Sequence, residues 1–155
     1  MSSEKGFAMI EIILLTLIIS VLTATAVPKI SKMLEKVSLD YETKKMYSEL
    51  RFVQSVNRSA TFDEAFFQNK IPNSKPVMFQ ASSTFYQIFR GDNNHLIRPR
   101  HNMSRNISLT FSSDKMRMFW FEPYGKVSAN GSITIKSNVG ERKMIFDSVG
   151  RWRAE

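Results

Sequence analysis

The sequence predicts an α+β protein: a long N-terminal helix, membrane-spanning in its first half, packed on a C-terminal antiparallel β-rich domain. Three observations carry that prediction. From Phe7 to Val27 the chain is an apolar run interrupted by a single charge, Glu11. Between Ile30 and Val56, apolar residues recur three or four positions apart in most cases, the spacing of one helix face. Beyond Val77, short segments rich in aromatic and β-branched residues are bounded by Gly, Asn, Pro or Ser, which is how strands and their turns read.

The first element follows from length. About 20 apolar residues are needed to cross a bilayer as a helix, and Phe7 to Val27 supplies them. A carboxylate at that depth costs roughly 2.5–3.5 kcal/mol on insertion scales, so Glu11 calls for a cationic partner. Taken by itself the segment fits a cleaved signal peptide, with Lys5 before it and Ala24-Thr25-Ala26 as a small-x-small cleavage site, or a plain single-span anchor in which Glu11 has no role. The cations flanking it, Lys5 on one side and Lys29, Lys32 and Lys36 on the other, favour by count alone a cytoplasmic C-terminal domain.

The helix is expected to run on to about Arg58 with a bend near Pro28. Its apolar stripe comprises Ile30, Met33, Leu34, Val37, Tyr41, Met46, Leu50, Val53 and Val56, and charged residues including Lys32, Glu35, Lys36, Glu42, Lys44, Lys45 and Glu49 occupy the remainder. A connecting loop is expected from Ala60 to Pro76, where Pro72, Asn73, Ser74 and Pro76 cluster. Strands are expected over 77–79, 84–89, 107–111, 116–121, 132–136 and 143–146, forming one antiparallel sheet or two packed sheets. The methionines read as adaptable core filler.

Composition narrows the chemistry. The chain of 155 residues has a formal net charge of +8, which favours polyanionic partners. It contains no cysteine, so neither disulfides nor thiolate metal sites are available. His95 and His101 lie in an Arg- and Asn-rich stretch that reads as a loop, without metal-ligand spacing, and Asp63 and Glu64 are adjacent and thus diverge. Nothing places a nucleophile beside a base. The reading is of no catalytic residue, no metal and no cofactor. Arg90, Arg98, Arg100 and Arg105 fall within sixteen residues that contain one acid, Asp92.

The stretch Lys5-Gly6-Phe7-Ala8-Met9-Ile10-Glu11-Ile12 resembles the N-terminal signature of type IV prepilins and pseudopilins, usually written KGFTLIEL; Ala8 and Met9 depart from it. The resemblance implies a leader over residues 1–6, cut by a prepilin peptidase between Gly6 and Phe7, and N-methylation of Phe7. It implies a helix over 7–58 whose first part, 7–27, is the transmembrane and filament-core segment, and a β-rich globular domain over 59–155. Glu11 would pair with the N-terminal ammonium of a neighbouring subunit, offsetting the desolvation of both charges, and Pro28 would be the helix-kinking proline. The protein would be single-pass in the inner membrane with its C-terminal domain outside, the reverse of the lysine count.

A second resemblance covers the C-terminal third. The segment MFWFEPYGKVSANGSITIKSNVGERKMIFDSVGRWR is similar to the closing hairpins of the GspH/FimT family of minor pilins and pseudopilins, at Phe121, Pro123, Gly125, Gly131, Ile133, Gly150 and Arg151. In FimT-like minor pilins a C-terminal G-R-x-R motif contacts DNA, and Gly150-Arg151-Trp152-Arg153 matches it. Two arginines at i and i+2 of an extended segment point the same way and can meet phosphates, while Trp152 either stacks on a base or packs on the domain. Arg98, Arg100 and Arg105 would widen the patch if they lie beside it. The implied function is a minor type IV pilin that binds double-stranded DNA without sequence preference during natural transformation. The alternative is a GspH-like minor pseudopilin of a type II secretion system; a membrane-anchored enzyme would need a catalytic cluster. Implied partners are other pilins or pseudopilins, the prepilin peptidase, the inner membrane and DNA.

Overall fold

The computed structural model describes residues 3–59, 76–91 and 95–154. The loop expected over 60–76 therefore lies, but for Pro76, outside the described residues, as do Asp63, Glu64 and Asp92. One helix, α1 (Ser3–Ser59), contains Pro28 and belongs in turn to two compact units, Met1–Val37 and Ser38–Glu155. Gly6 and Phe7 are helical in backbone, and their side chains are outside the described set.

In the first unit every large apolar side chain from Met9 to Val37 is more than half exposed. Its hydroxyls are satisfied locally: Thr16, Ser20, Thr23 and Thr25 donate to the carbonyls of Ile13, Thr16, Ile19 and Leu22 at 2.7–3.0 Å. An apolar helix whose polar side chains bond back to their own backbone needs no water at those positions. The helix is long and apolar enough to cross a membrane.

The second unit contains the last part of α1 and two four-stranded antiparallel sheets. Strands β1 (Val77–Ala81), β2 (Phe85–Arg90), β3 (His95–Asn102) and β5 (Met118–Trp120) form one sheet in the order β3-β2-β1-β5. Strands β4 (Ser108–Phe111), β6 (Gly131–Ser137), β7 (Gly140–Phe146) and β8 (Trp152–Ala154) form the other in the order β4-β6-β7-β8. Alternating residues turn inward from both: Val77, Phe79, Ala81 and Phe119 from the first, Leu109, Ile133, Ile135, Met144 and Phe146 from the second. Phe119 bridges them, its ring 5.5 Å from Phe79 and 5.2 Å from Phe146. Leu39, Met46, Leu50 and Val53 of α1 complete this one core. Asn57, buried at the end of the helical stripe, donates to the carbonyls of Val77 and Phe121 and accepts from Val77 N–H, so α1 caps the ends of two inner segments.

Three expectations need correction. The stripe on α1 does not pack along its whole length: Ile30, Met33, Leu34, Val37 and Tyr41 are exposed, and burial begins at Leu39. Glu42 and Glu49, assigned to the solvated side, are buried in line with Leu39, Met46, Leu50 and Val53. The Arg- and His-bearing stretch expected as a loop is instead strand β3, an edge strand whose Pro99 sits where no ladder partner is needed. A smaller difference lies at Met116 and Arg117, which belong to a 3-10 turn, Asp114–Arg117, rather than to β5.

Candidate functional site

The C-terminal motif is built on a turn. After β7, Asp147 N–H donates to the Arg151 carbonyl at 3.0 Å and Gly150 N–H returns to the Asp147 carbonyl at 3.1 Å, which swings β8 back alongside β7. The Asp147 carboxylate accepts from the backbone N–H of Val149 and Arg151 and from Arg151 Nε, at 2.9–3.0 Å. Partial desolvation works to raise its pKa, but the Arg151 N–H, the Arg151 guanidinium and the Val149 N–H outweigh it and hold the carboxyl below its ordinary value. With the folded value depressed, the unfolded chain takes up the proton first, so this contribution is present above the ordinary carboxylate range and is lost as pH falls through the folded value.

Gly150 has φ +81°, and a Cβ there would fall on the Gly125 carbonyl. Gly125, itself at φ +91°, closes the turn in which Glu122 N–H donates to Lys126 O and Gly125 N–H to Glu122 O. The two glycines quoted from separate parts of the motif thus meet back to back. From α1, Gln54 reaches the Gly150 carbonyl at 3.5 Å.

Alternation along β8 separates the motif's side chains. Trp152 pairs with Phe146 in register and turns inward, stacked on Phe146 and 4.3 Å from the Tyr47 ring, with the Arg51 guanidinium over it. Of the two roles considered for Trp152, packing on the domain is the one it occupies here. Arg151 and Arg153 turn outward and are exposed, and with Asp147, Ile145 and the half-buried Trp152 they border one shallow groove.

The second arginine group sits on the other sheet. Register shifts in the β2–β3 ladder bring both Arg98 and His101 to the helix-facing side, opposite Ile88 and Tyr86. Arg98 pairs with Glu49 at 2.8 Å and covers the Phe52 ring. His101 Nε2 lies 2.7 Å from Glu42 Oε2, while Nδ1 lies 3.0 Å from Lys45 Nζ. Lysine only donates, so Nδ1 accepts and Nε2 carries the proton to Glu42. Glu42 also accepts from the backbone N–H and hydroxyl of Ser104. Seven residues of helix rise about 10.5 Å and three residues of strand about 10 Å, so Glu42 and Glu49 meet His101 and Arg98 as two matched rungs. Arg100 stacks on Phe85 at 3.4 Å, and Arg105 lies exposed in the turn after β3. Arg98 and Arg100 are on a different sheet from β8, which holds Arg153 and begins just after Arg151, and Arg105 lies in the turn between the sheets; α1 faces β3 through Glu42, Lys45 and Glu49 and β8 through Tyr47 and Arg51.

Beside the rungs is a cavity of about 190 Å³ lined by Lys45, Glu49, Tyr86, Arg98, Arg100 and His101 among others. Glu49 Oε2 and the Tyr86 hydroxyl are buried there without a hydrogen-bond partner among the described residues. Burial, then the nearby Glu49 and Glu42 carboxylates, pushes Tyr86 ionisation well above its ordinary value. The Ser104 hydroxyl donates to Glu42. Among the described residues no three His, Asp or Glu side chains gather to hold a metal. No family model, curated protein or solved structure matches the chain. Glu11 is exposed on the apolar helix of the first unit.

Proposed function

We propose that the chain is a minor type IV pilin: an N-terminally processed, membrane-anchored, non-enzymatic filament subunit whose extracytoplasmic domain binds double-stranded DNA without sequence preference. The observation that carries this reading is Glu11, the one charge in the apolar helical run that begins at Phe7, directly after Gly6. A helix whose large apolar side chains all face outward needs a membrane or neighbouring helices to cover them. A carboxylate among them is tolerated where a neighbour's ammonium meets it. Arg151 and Arg153, exposed on one side of the C-terminal edge, support the DNA-binding part.

The test of processing is intact mass of the protein recovered from membranes. Loss of residues 1–6 and gain of one methyl group on Phe7 is the expected result. A mature N-terminus at Val27, following the Ala24-Thr25-Ala26 site, overturns the filament-subunit reading.

Asp147→Asn bears on the DNA part. Asparagine keeps a carbonyl acceptor for the Val149 and Arg151 N–H groups but removes the negative charge held against Arg151. Duplex affinity at low salt is expected to rise about threefold, the scale of one exposed ion pair, measured by fluorescence anisotropy. Unchanged or weaker binding with an intact fold would show that Arg151 does not meet phosphate.

A further inference from the structure

The outer face of the β4-β6-β7-β8 sheet aligns four cations, Lys136, Lys143, Arg151 and Arg153. On that face Arg153 is beside Ile145 and Ser132, Lys143 beside Thr134 and Thr110, and Lys136 between Glu141 and Ser108. The opposite faces of these strands carry the buried Leu109, Ile133, Ile135, Met144 and Phe146, so the two sides are cleanly divided. Each step from Arg153 to Lys143 and from Lys143 to Lys136 moves one strand across and two residues along. With strands ~4.8 Å apart and ~6.8 Å per residue pair, that is roughly 8 Å per step. Arg151 extends the line at the other end. All four side chains are exposed.

We propose that this diagonal is a track for the sugar-phosphate backbone of duplex DNA, with Arg151 and Arg153 forming one end of it rather than the whole site. This rests on the DNA-binding reading above. Charge complementarity argues for the occupant: the row runs about 23 Å by the same spacings, long enough to follow several phosphates at ~3.4 Å of rise per strand residue. Ser108, Thr110, Ser132 and Thr134 flank the row with hydroxyls of the kind that bond phosphate oxygens. Two acids share the face, Asp147, held by Arg151, and Glu141, in register with Lys136. Duplex is favoured over single strand because Trp152, although it borders the groove, has its ring stacked on Phe146 and packed on Tyr47, and the described strand residues of this face include no other aromatic ring on which a base could stack.

The experiment uses the full chain in zwitterionic detergent and a 20-base-pair duplex, with affinity followed from roughly 50 to 200 mM salt. Lys136→Gln/Lys143→Gln is compared with Arg151→Gln/Arg153→Gln and with Lys44→Gln/Lys115→Gln, which removes the same charge from α1 and the 3-10 turn. Each pair on the face should flatten the log–log salt slope by about 1.8, at ~0.9 per phosphate contact, and the control pair by much less. If the arginine pair weakens binding while the Lys136/Lys143 pair matches the control, the track is wrong and the DNA-binding reading stands. If the parent ignores duplex, or neither face pair differs from the control, both fall. Tighter binding of a single strand of the same length overturns the duplex assignment.

Discussion

Gly150→Ala is expected to lower stability by about 3–5 kcal/mol, in the range reserved for backbone clashes at special φ/ψ positions. The residue needs φ +81°, where an alanine is already strained, and the new methyl would occupy the place of the Gly125 carbonyl, which is backbone and cannot rotate aside. For a domain of this size each kcal/mol moves Tm by ~3–6 °C, so thermal unfolding should shift by more than 10 °C. A Tm within 2–3 °C of the parent would mean the two turns do not abut as described. Because the turn also presents Arg151, the same variant should lose whatever depends on the arginine pair, and a stability measurement must accompany any binding assay on it.

Glu42→Ala is expected to cost about 3 kcal/mol, the scale for removing one partner from a buried charged network. The loss strands three donors: His101 Nε2, Ser104 N–H and the Ser104 hydroxyl. Glu42→Gln is not a conservative repair. Glutamine can accept from Ser104, but its amide then presents a donor to His101, which must move its proton to Nδ1 and so face the Lys45 ammonium. Both variants should therefore unfold at lower temperature and denaturant concentration than the parent, and Glu42→Gln rescued to parental stability would show that the Lys45–His101–Glu42 chain is not formed. Urea denaturation monitored at Trp120 and Trp152 reads the domain directly.

What sequence reasoning reached, and what it did not, follows from where the information lies. The helix was legible because an apolar run and a 3.6-residue period are local signals, and strands such as β6 and β7 were legible because Ser132–Lys136 and Lys143–Phe146 alternate between a buried and an exposed face. Strand β3 was not. Its Arg98, Pro99, Arg100, His101 and Asn102 have loop composition, and they are extended because β2 supplies the ladder and α1 supplies carboxylates. The signal that could have found it was on the helix: Glu42 and Glu49, seven apart, each follow a core residue, Leu39 or Met46, by three positions. Acids on an apolar stripe at heptad spacing call for hydrogen-bond donors at matching spacing elsewhere. The G-R-x-R segment was legible as an extended pair of arginines; the inward turn of Trp152 depended on Tyr47 and Phe146, which no local pattern announces. The cation row from Lys136 to Arg153 was invisible for a related reason, since only the strand register makes neighbours of residues seventeen positions apart.

The two rungs between α1 and β3 also have a mechanical meaning. Glu42–His101 and Glu49–Arg98 have nearly equal spacings on helix and strand, so a pull along the helix axis loads both at once, in shear, instead of opening one and then the next. Sliding α1 by a single turn would break both together and leave two carboxylates in the core without their partners. A pull transmitted along α1 thus meets the folded domain at two points at once, and the grip gives way all at once or not at all.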